Sequence, residues 1–224
     1  MTLDRKEYAV KETRRYHSPL RDAQARETRR RVVASARELF LEAGYAATTI
    51  TAIARRAGIS PDTVYSAFGS KGAVLKEVLD VTIGGDDEDM ALLDRQGPQA
   101  VQAEPDQRRQ LALFAAGMTQ QLERVRPLDD ILRSAAAVDA QAAELRADLQ
   151  LRQRREAMRV VVGWVAARGP LRGDVTHESA AAVVWTVTSP EVHLMLRDVW
   201  GWPREQYETW LRDTLVSSLL AKSK

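Results

Sequence analysis

Cysteine is absent from the 224 residues, which excludes disulfide cross-links and thiolate metal sites. Histidine is scarce. His17, His177 and His193 are the only three, and none stands at metal-ligand spacing from nearby carboxylates, so no metal and no cofactor are expected. No apolar run approaches the ~18 residues of a membrane span, and the first residues lack the apolar centre of a secretory signal. A cytoplasmic chain without a membrane partner is expected. Strand-like alternation is missing, and with it any Gly-rich phosphate loop after a strand. No nucleophile–base pair is present either, so enzymatic activity is not expected. Charge of one sign is not in large excess: 33 Lys and Arg stand against 31 Asp and Glu.

That balance hides an asymmetry. Residues 1–83 hold 15 Lys and Arg against 10 Asp and Glu, and the remainder 18 against 21. A positive amino-terminal part is what a phosphate-binding surface requires. Residues 1–23 are polar, basic and poorly periodic and read as a flexible arm, with His17 a solvent-exposed bystander. Arg26, Arg29, Arg30 and Arg31 concentrate positive charge where it opposes a helix dipole. Two readings stand for them: a solvated charge run, or contact with phosphate or a minor groove, with Arg29 the candidate.

Residues 29–75 carry the densest pattern. Val32, Val33, Ala36, Leu39 and Phe40 recur at three- and four-residue steps, one apolar stripe of a helix. Gly44 suits a left-handed helix end, and Thr48 and Thr49 suit the cap of the next helix. That helix buries Ile50, Ile53, Ala54 and Ala57 and stops at Gly58. Ser60-Pro61 supplies a side-chain cap and a proline at the first helical position. The third helix, roughly 61–68, faces inward through Val64 and Phe68, and Ser70 caps a fourth ahead of Val74, Leu75, Val78 and Leu79. Ala57-Gly58-Ile59-Ser60 is thus a tight turn between two helices. The third helix is about 12 Å long, close to the ~12 Å width of the DNA major groove. Its outward residues, Pro61, Asp62, Thr63, Tyr65, Ser66 and Ala67, are mostly small or able to hydrogen-bond.

The ordered set G-Y-x-x-T-T, I-A-x-x-A-G-I-S, T-V-Y-x-x-F and G-S-K resembles the amino-terminal domain of the tetracycline-repressor (TetR) family over roughly residues 25–80, a quarter of the chain. The resemblance implies roles. Tyr65 would press on the DNA backbone. Lys71 would hold a phosphate with the amides of the fourth helix. Thr49, and with it Thr48, would touch phosphate. Pro61, Asp62 and Thr63 would face bases, flanked by Ser60 and Ser66. Ala67 departs from the family, which often has histidine or a larger aromatic there, so one backbone contact is expected to be missing. Asp62 accepts from a cytosine amino group or complements the positive end of its helix; the second reading is favoured.

From Val81 the pattern is helical, with breaks at Gly84-Gly85 and its acidic run Asp86 to Asp89, and near 97–105. Helices are expected over about 106–125, 127–138, 140–168, 176–197 with a kink near Pro190, and 203–221. All five tryptophans, Trp164, Trp185, Trp200, Trp202 and Trp210, lie in the last third. Core packing accounts for most of them, yet an apolar ligand cavity is lined by the same residue types. Phe114, Met118, Met158, Val161, Trp164 and Trp185 are the pocket candidates. His193 reads as structural. The segment TSPEVHLMLRDVWGW resembles carboxy-terminal domains of the same family. There the resemblance implies a homodimer through the last two long helices, with Val183, Val184, Leu211, Leu215 and Leu219 as seam candidates; whether Trp185 belongs to pocket or seam stays open.

The expected fold is all-α: an arm over 1–23, a helix-turn-helix DNA-binding domain over 24–70, and a helical effector-binding and dimerisation domain over 71–224. The expected function is a ligand-responsive transcriptional regulator, a repressor by the family's usual mode. It would bind a palindromic double-stranded DNA operator as a homodimer and be released by a small-molecule effector. The alternatives are a helical scaffold that keeps the module without binding DNA, and a constitutive repressor with no ligand.

Overall fold

The computed structural model describes residues 19–88 and 90–221, and its regular elements are all helical. Eleven α-helices follow in order: α1 (Pro19–Ala47), α2 (Ile50–Ala57), α3 (Pro61–Phe68), α4 (Lys71–Gly84), α5 (Gln96–Ala103), α6 (Gln107–Ala136), α7 (Ala140–Ala147), α8 (Arg154–Ala166), α9 (His177–Val187), α10 (Pro190–Leu194) and α11 (Arg204–Leu219). Wide π-helical turns join α7 to α8 over Asp148–Gln153 and extend α10 over Met195–Val199. No helix among the described residues is long and apolar enough to cross a membrane.

Two apolar cores organise the chain. The first gathers Val32, Ala36 and Phe40 of α1, Ile53 and Ala54 of α2, Val64 of α3 and Val74, Leu75, Val78 and Leu79 of α4. The second joins α5, α6, α8, α9 and α11 through residues such as Leu111, Val162, Val184 and Leu211. Helix α6 belongs to both: Leu111 to Leu122 enter the second core, and Leu128, Leu132 and Ala135 the first. It is therefore the one long helix among the described residues, over Gln107–Ala136, that contributes buried residues to both cores.

Several expectations are corrected. Residues 19–23, assigned to the arm, form the first turns of α1, while residues 1–18, with His17, lie outside the described residues. Helix α4, assigned to the second domain, buries its apolar face in the first core, so no packing boundary falls at residue 70. The expected break near 97–105 contains α5, which buries Val101 and whose Val101 carbonyl accepts from Gln110 Nε2 at 2.8 Å. Pro127 does not split α6. A proline there removes one i→i−4 bond, but Val125 and Leu128 on either side are buried and hold the helix together. The kink near Pro190 is a complete break: Ser189 caps α10 by accepting from Val192 N, with Pro190 in its first turn.

Candidate nucleic-acid interface and ligand cavity

Helix α3 is held by its ends and one anchor. Ser60 Oγ accepts from Thr63 N at 3.2 Å, and Gly69, at φ 80°, donates its N–H to Tyr65 O at 2.8 Å. Val64 is fully buried beneath. Opposite that anchor Asp62, Thr63, Tyr65, Ser66 and Ala67 are exposed, Tyr65 at 54%. Pro61 is half-buried. Ser60 and Thr63 hydroxyls lie 2.8 Å apart and hydrogen-bond to each other. The turn before α3 depends on Gly58 at φ 66°, whose N–H satisfies Ala54 O and Arg55 O at the end of α2.

Thr49 caps α2, its hydroxyl accepting from Ala52 N at 3.1 Å, and it is exposed beside α3. Thr48 is different. It is 1% exposed and its hydroxyl donates toward Gly44 O at 2.8 Å and Leu39 O at 3.2 Å. It closes the end of α1, where Gly44 leaves helical geometry at φ 76°, with its hydroxyl turned inward.

Two further phosphate candidates are occupied inside the protein. Lys71 Nζ donates to Tyr45 O at 2.8 Å and Thr48 O at 3.0 Å, and lies 4.0 Å from the centre of the Tyr45 ring. Partial burial lowers its pKa. It neutralises the carbonyl end of α1, as cations do at helix C-termini. Arg29 forms a two-pronged pair with Glu77, both contacts 2.7 Å, and covers the Phe68 ring at 4.6 Å. It clamps α1 to α4 and to the end of α3.

Two more arginines of the run are engaged, while Arg26 is exposed. Arg30 pairs with Asp87, and Arg31 donates to Ala57 O at the end of α2. Arg29 and Arg30 remain exposed while engaged in these pairs. Arg30 and Arg31 tie the acidic loop and α2 to α1. On α2, Arg56 pairs with Glu42 at 2.8 Å while Arg55 is exposed. Arg55 stands at the end of α2, beside the turn that leads to α3.

Behind this module lies a cavity of about 1040 Å³ between α4, α5, α6 and α8. Phe114, Met118, Met158, Val161 and Trp164 all line it. Trp185 does not. Its indole N–H donates to Gln150 O at 3.1 Å, and its ring lies under the Arg154 guanidinium at 5.1 Å. The seam candidates are also corrected. Val184, Leu211, Leu215 and Leu219 are 0% exposed within a single chain and fill the second core; Val183 is half-buried. Their regular spacing marks the inward face of α9 and α11, because a sequence stripe does not say which neighbour covers it.

Comparison with known proteins places this arrangement. The sequence profile described as bacterial regulatory proteins, tetR family, matches residues 32–78. The HTH-type transcriptional regulators TtgW and SrpR of Pseudomonas putida are each 42% identical over 57 residues, which is 25% of this chain and 42% and 27% of theirs. The match thus spans less than half the length of either relative. A TetR-family transcriptional regulator structure from Syntrophomonas wolfei superposes with a TM-score of 0.68 at 15% identity, covering 86% of this chain and 94% of that one, a likeness of fold. Residues 32–78 thus form a domain similar to the one described as bacterial regulatory proteins, tetR family, and to a part of HTH-type transcriptional regulators.

Proposed function

We propose that this chain is a ligand-responsive repressor that binds a palindromic double-stranded operator as a homodimer and is released by a small molecule in the α4–α6–α8 cavity. The observation that carries the reading is the outer face of α3. Asp62, Thr63, Tyr65 and Ser66 are exposed on a capped helix of groove-filling length while Val64 fixes it from behind. Thr49 flanks that face for a phosphate, and α3 residues meet base edges. Lys71, Thr48 and Arg29 hold the module's shape and leave phosphate contact to other groups, Arg55 among them.

One module buries only ~600–1,000 Å² on DNA, so two copies on a two-fold axis are needed for adequate discrimination. If α9 and α11 pair, the residues available are their exposed ones, such as Thr186, Thr209 and Ser217, rather than the buried leucines. Leu79 and Ile83 of α4 line the cavity, and the same helix packs in the first core. A ligand that prefers one position of α4 shifts the pair of α3 helices by its differential affinity for the two states. The chain acts in the cytoplasm, where its DNA is, and performs no chemistry on the ligand.

The test is a footprint. Purified chain is titrated onto duplexes tiling its own upstream region. A two-fold protected site with half-sites ~34–36 Å apart is expected. Uniform weak binding to every duplex would favour a scaffold that keeps the module without reading DNA.

A further inference from the structure

The cavity is apolar in its body but not electrically neutral. Its lining contains six arginines, Arg95, Arg124, Arg152, Arg154, Arg155 and Arg159, against two acids, Asp129 and Glu156. Three of the arginines are compensated: Arg95 by Asp86 at 2.5 Å, Arg152 by Asp148, and Arg159 by Glu178 at 2.9 Å and Glu156 at 3.2 Å. Arg154 donates to Trp185 O and Thr188 Oγ1 and feels Glu191 and Asp129 at longer range. Among the described residues, no carboxylate lies within ion-pair distance of Arg124 or Arg155.

Arg124 is the informative one. It projects from α6 into the lining, it is not fully exposed, and its Nε is buried without a hydrogen-bond partner. The neighbouring Arg95 also has a buried, unpartnered Nε. Both guanidinium groups converge on the end of α4. A Cβ on Gly84 would stand 2.8 Å from Arg95 Nη2, and one on Gly85 3.6 Å from Arg124 Nη2. The glycine pair thus makes room for two cations side by side. Asp86 offsets the charge of Arg95, whereas Arg124 has no carboxylate partner, and both groups keep a buried Nε donor unpaired, which is costly. An anion at this end offsets the charge of Arg124 and takes these donors.

We propose that the effector is an organic anion, with an apolar body along Phe114, Met118 and Met158 and its anionic group held by Arg124 and Arg95 at the carboxy end of α4. This rests on the cavity being the ligand site. It adds the charge of the ligand and the end of the cavity where that charge sits. An oxyanion there can take charge-assisted bonds from both arginines. It would also join α6, through Arg124, to the loop that follows α4, through Arg95.

The test uses three probes of one chain length: decanoate, decanol and decyltrimethylammonium. Binding to the full chain is followed by Trp fluorescence, since Trp164 lines the cavity, and by thermal shift. Decanoate is expected to bind at least roughly tenfold more tightly than decanol, with the ammonium weakest. Arg124→Gln is expected to abolish the preference for decanoate while leaving decanol affinity within about twofold. Circular dichroism of that variant checks that it folds, and Arg155→Gln, at an exposed lining residue, is expected to change the preference much less. Equal binding of all three probes, or a preference for the ammonium, would overturn the anion assignment while leaving the cavity as a binding site. No binding of any probe, with Val161→Trp also indistinguishable from wild type, would overturn the cavity reading and this inference with it.

Discussion

The Tyr45 hydroxyl donates to Asp139 Oδ2 at 2.8 Å, joining the end of α1 to the start of α7 across 94 residues of sequence. Each partner is held from its own side. Tyr45 stacks on Phe40 at 5.8 Å and lies under Lys71, and Asp139 Oδ1 caps α7 by accepting from Gln141 N and Ala142 N. Ser70 Oγ reaches Gln141 Oε1 at 3.2 Å beside them. The helix-turn-helix is therefore tied to α7 by a polar joint, next to the packing of α4 and α6.

Tyr45→Phe removes that bond and keeps the ring. A loss of about 0.5–1.5 kcal/mol in unfolding free energy is expected, measured by urea denaturation. Asp139 has its pKa lowered by the Tyr45 hydroxyl first and by the α7 amides. A depressed carboxylate contributes stability that is present above its unfolded pKa, ~3.9, and is lost as pH falls through the folded value. Wild type and Tyr45→Phe should therefore converge in stability at strongly acidic pH. An unchanged gap there would mean that the charge of Asp139 is not what the hydroxyl serves.

Lys71→Ala separates a structural cation from a phosphate contact. With Nζ bound to Tyr45 O and Thr48 O, its loss is expected to lower stability by about 1–3 kcal/mol. The slope of log affinity for DNA against log salt is expected to stay within error of wild type. A slope smaller by about one would show that Lys71 meets a phosphate after all.

His193 gives a pH signature. It is 3% exposed, edge-on to the Tyr207 ring at 4.9 Å, and burial lowers its pKa to about 4, helped by Arg197 and Arg126. A histidine with a lowered folded pKa binds its proton more readily when unfolded. Stability is full above the unfolded value, ~6.5, and falls as pH drops from there toward about 4. His193→Leu should flatten that part of the stability–pH curve. Chemical denaturation at several pH values between 7 and 4 reads it directly.

Gly58→Ala tests the turn. At φ 66° an L-residue costs about 1–2 kcal/mol, and the new methyl would stand 2.8 Å from Arg31 Nη2, displacing it from Ala57 O. A drop in stability of at least about 1 kcal/mol is expected, with weaker DNA binding because α3 is no longer set at its angle. An equal or higher melting temperature would contradict this role.

Much of this was legible in the sequence because local chemistry decides it. Gly58, Ser60-Pro61 and Ser70 punctuate α2, α3 and α4 by backbone and capping preferences alone, and Val64 and Phe40 follow from helical period. The apolar lining by Phe114, Met118 and Met158 was legible for the same reason. Partner choice is what the sequence does not show. Thr48, Arg29 and Lys71 have residue types suited to phosphate, but each finds an internal acceptor that only the folded chain brings near. The leucines of α11 show an apolar stripe, and no periodicity reveals whether α6 or a second copy covers it. Pro127 looked like a helix end because the packing around it is non-local.

The most direct measurement is fluorescence anisotropy of the upstream duplex titrated with wild type, Thr63→Ala and Tyr65→Ala. Both side chains are exposed on α3, so the fold should be kept, with a small loss of stability in Thr63→Ala from the Ser60–Thr63 hydroxyl contact. Tyr65→Ala is expected to weaken binding to all duplexes, and Thr63→Ala to alter preference at one or two base positions by about 1–3 kcal/mol. Wild-type affinity and wild-type sequence preference in both variants would contradict the assignment of α3 as the DNA-reading helix.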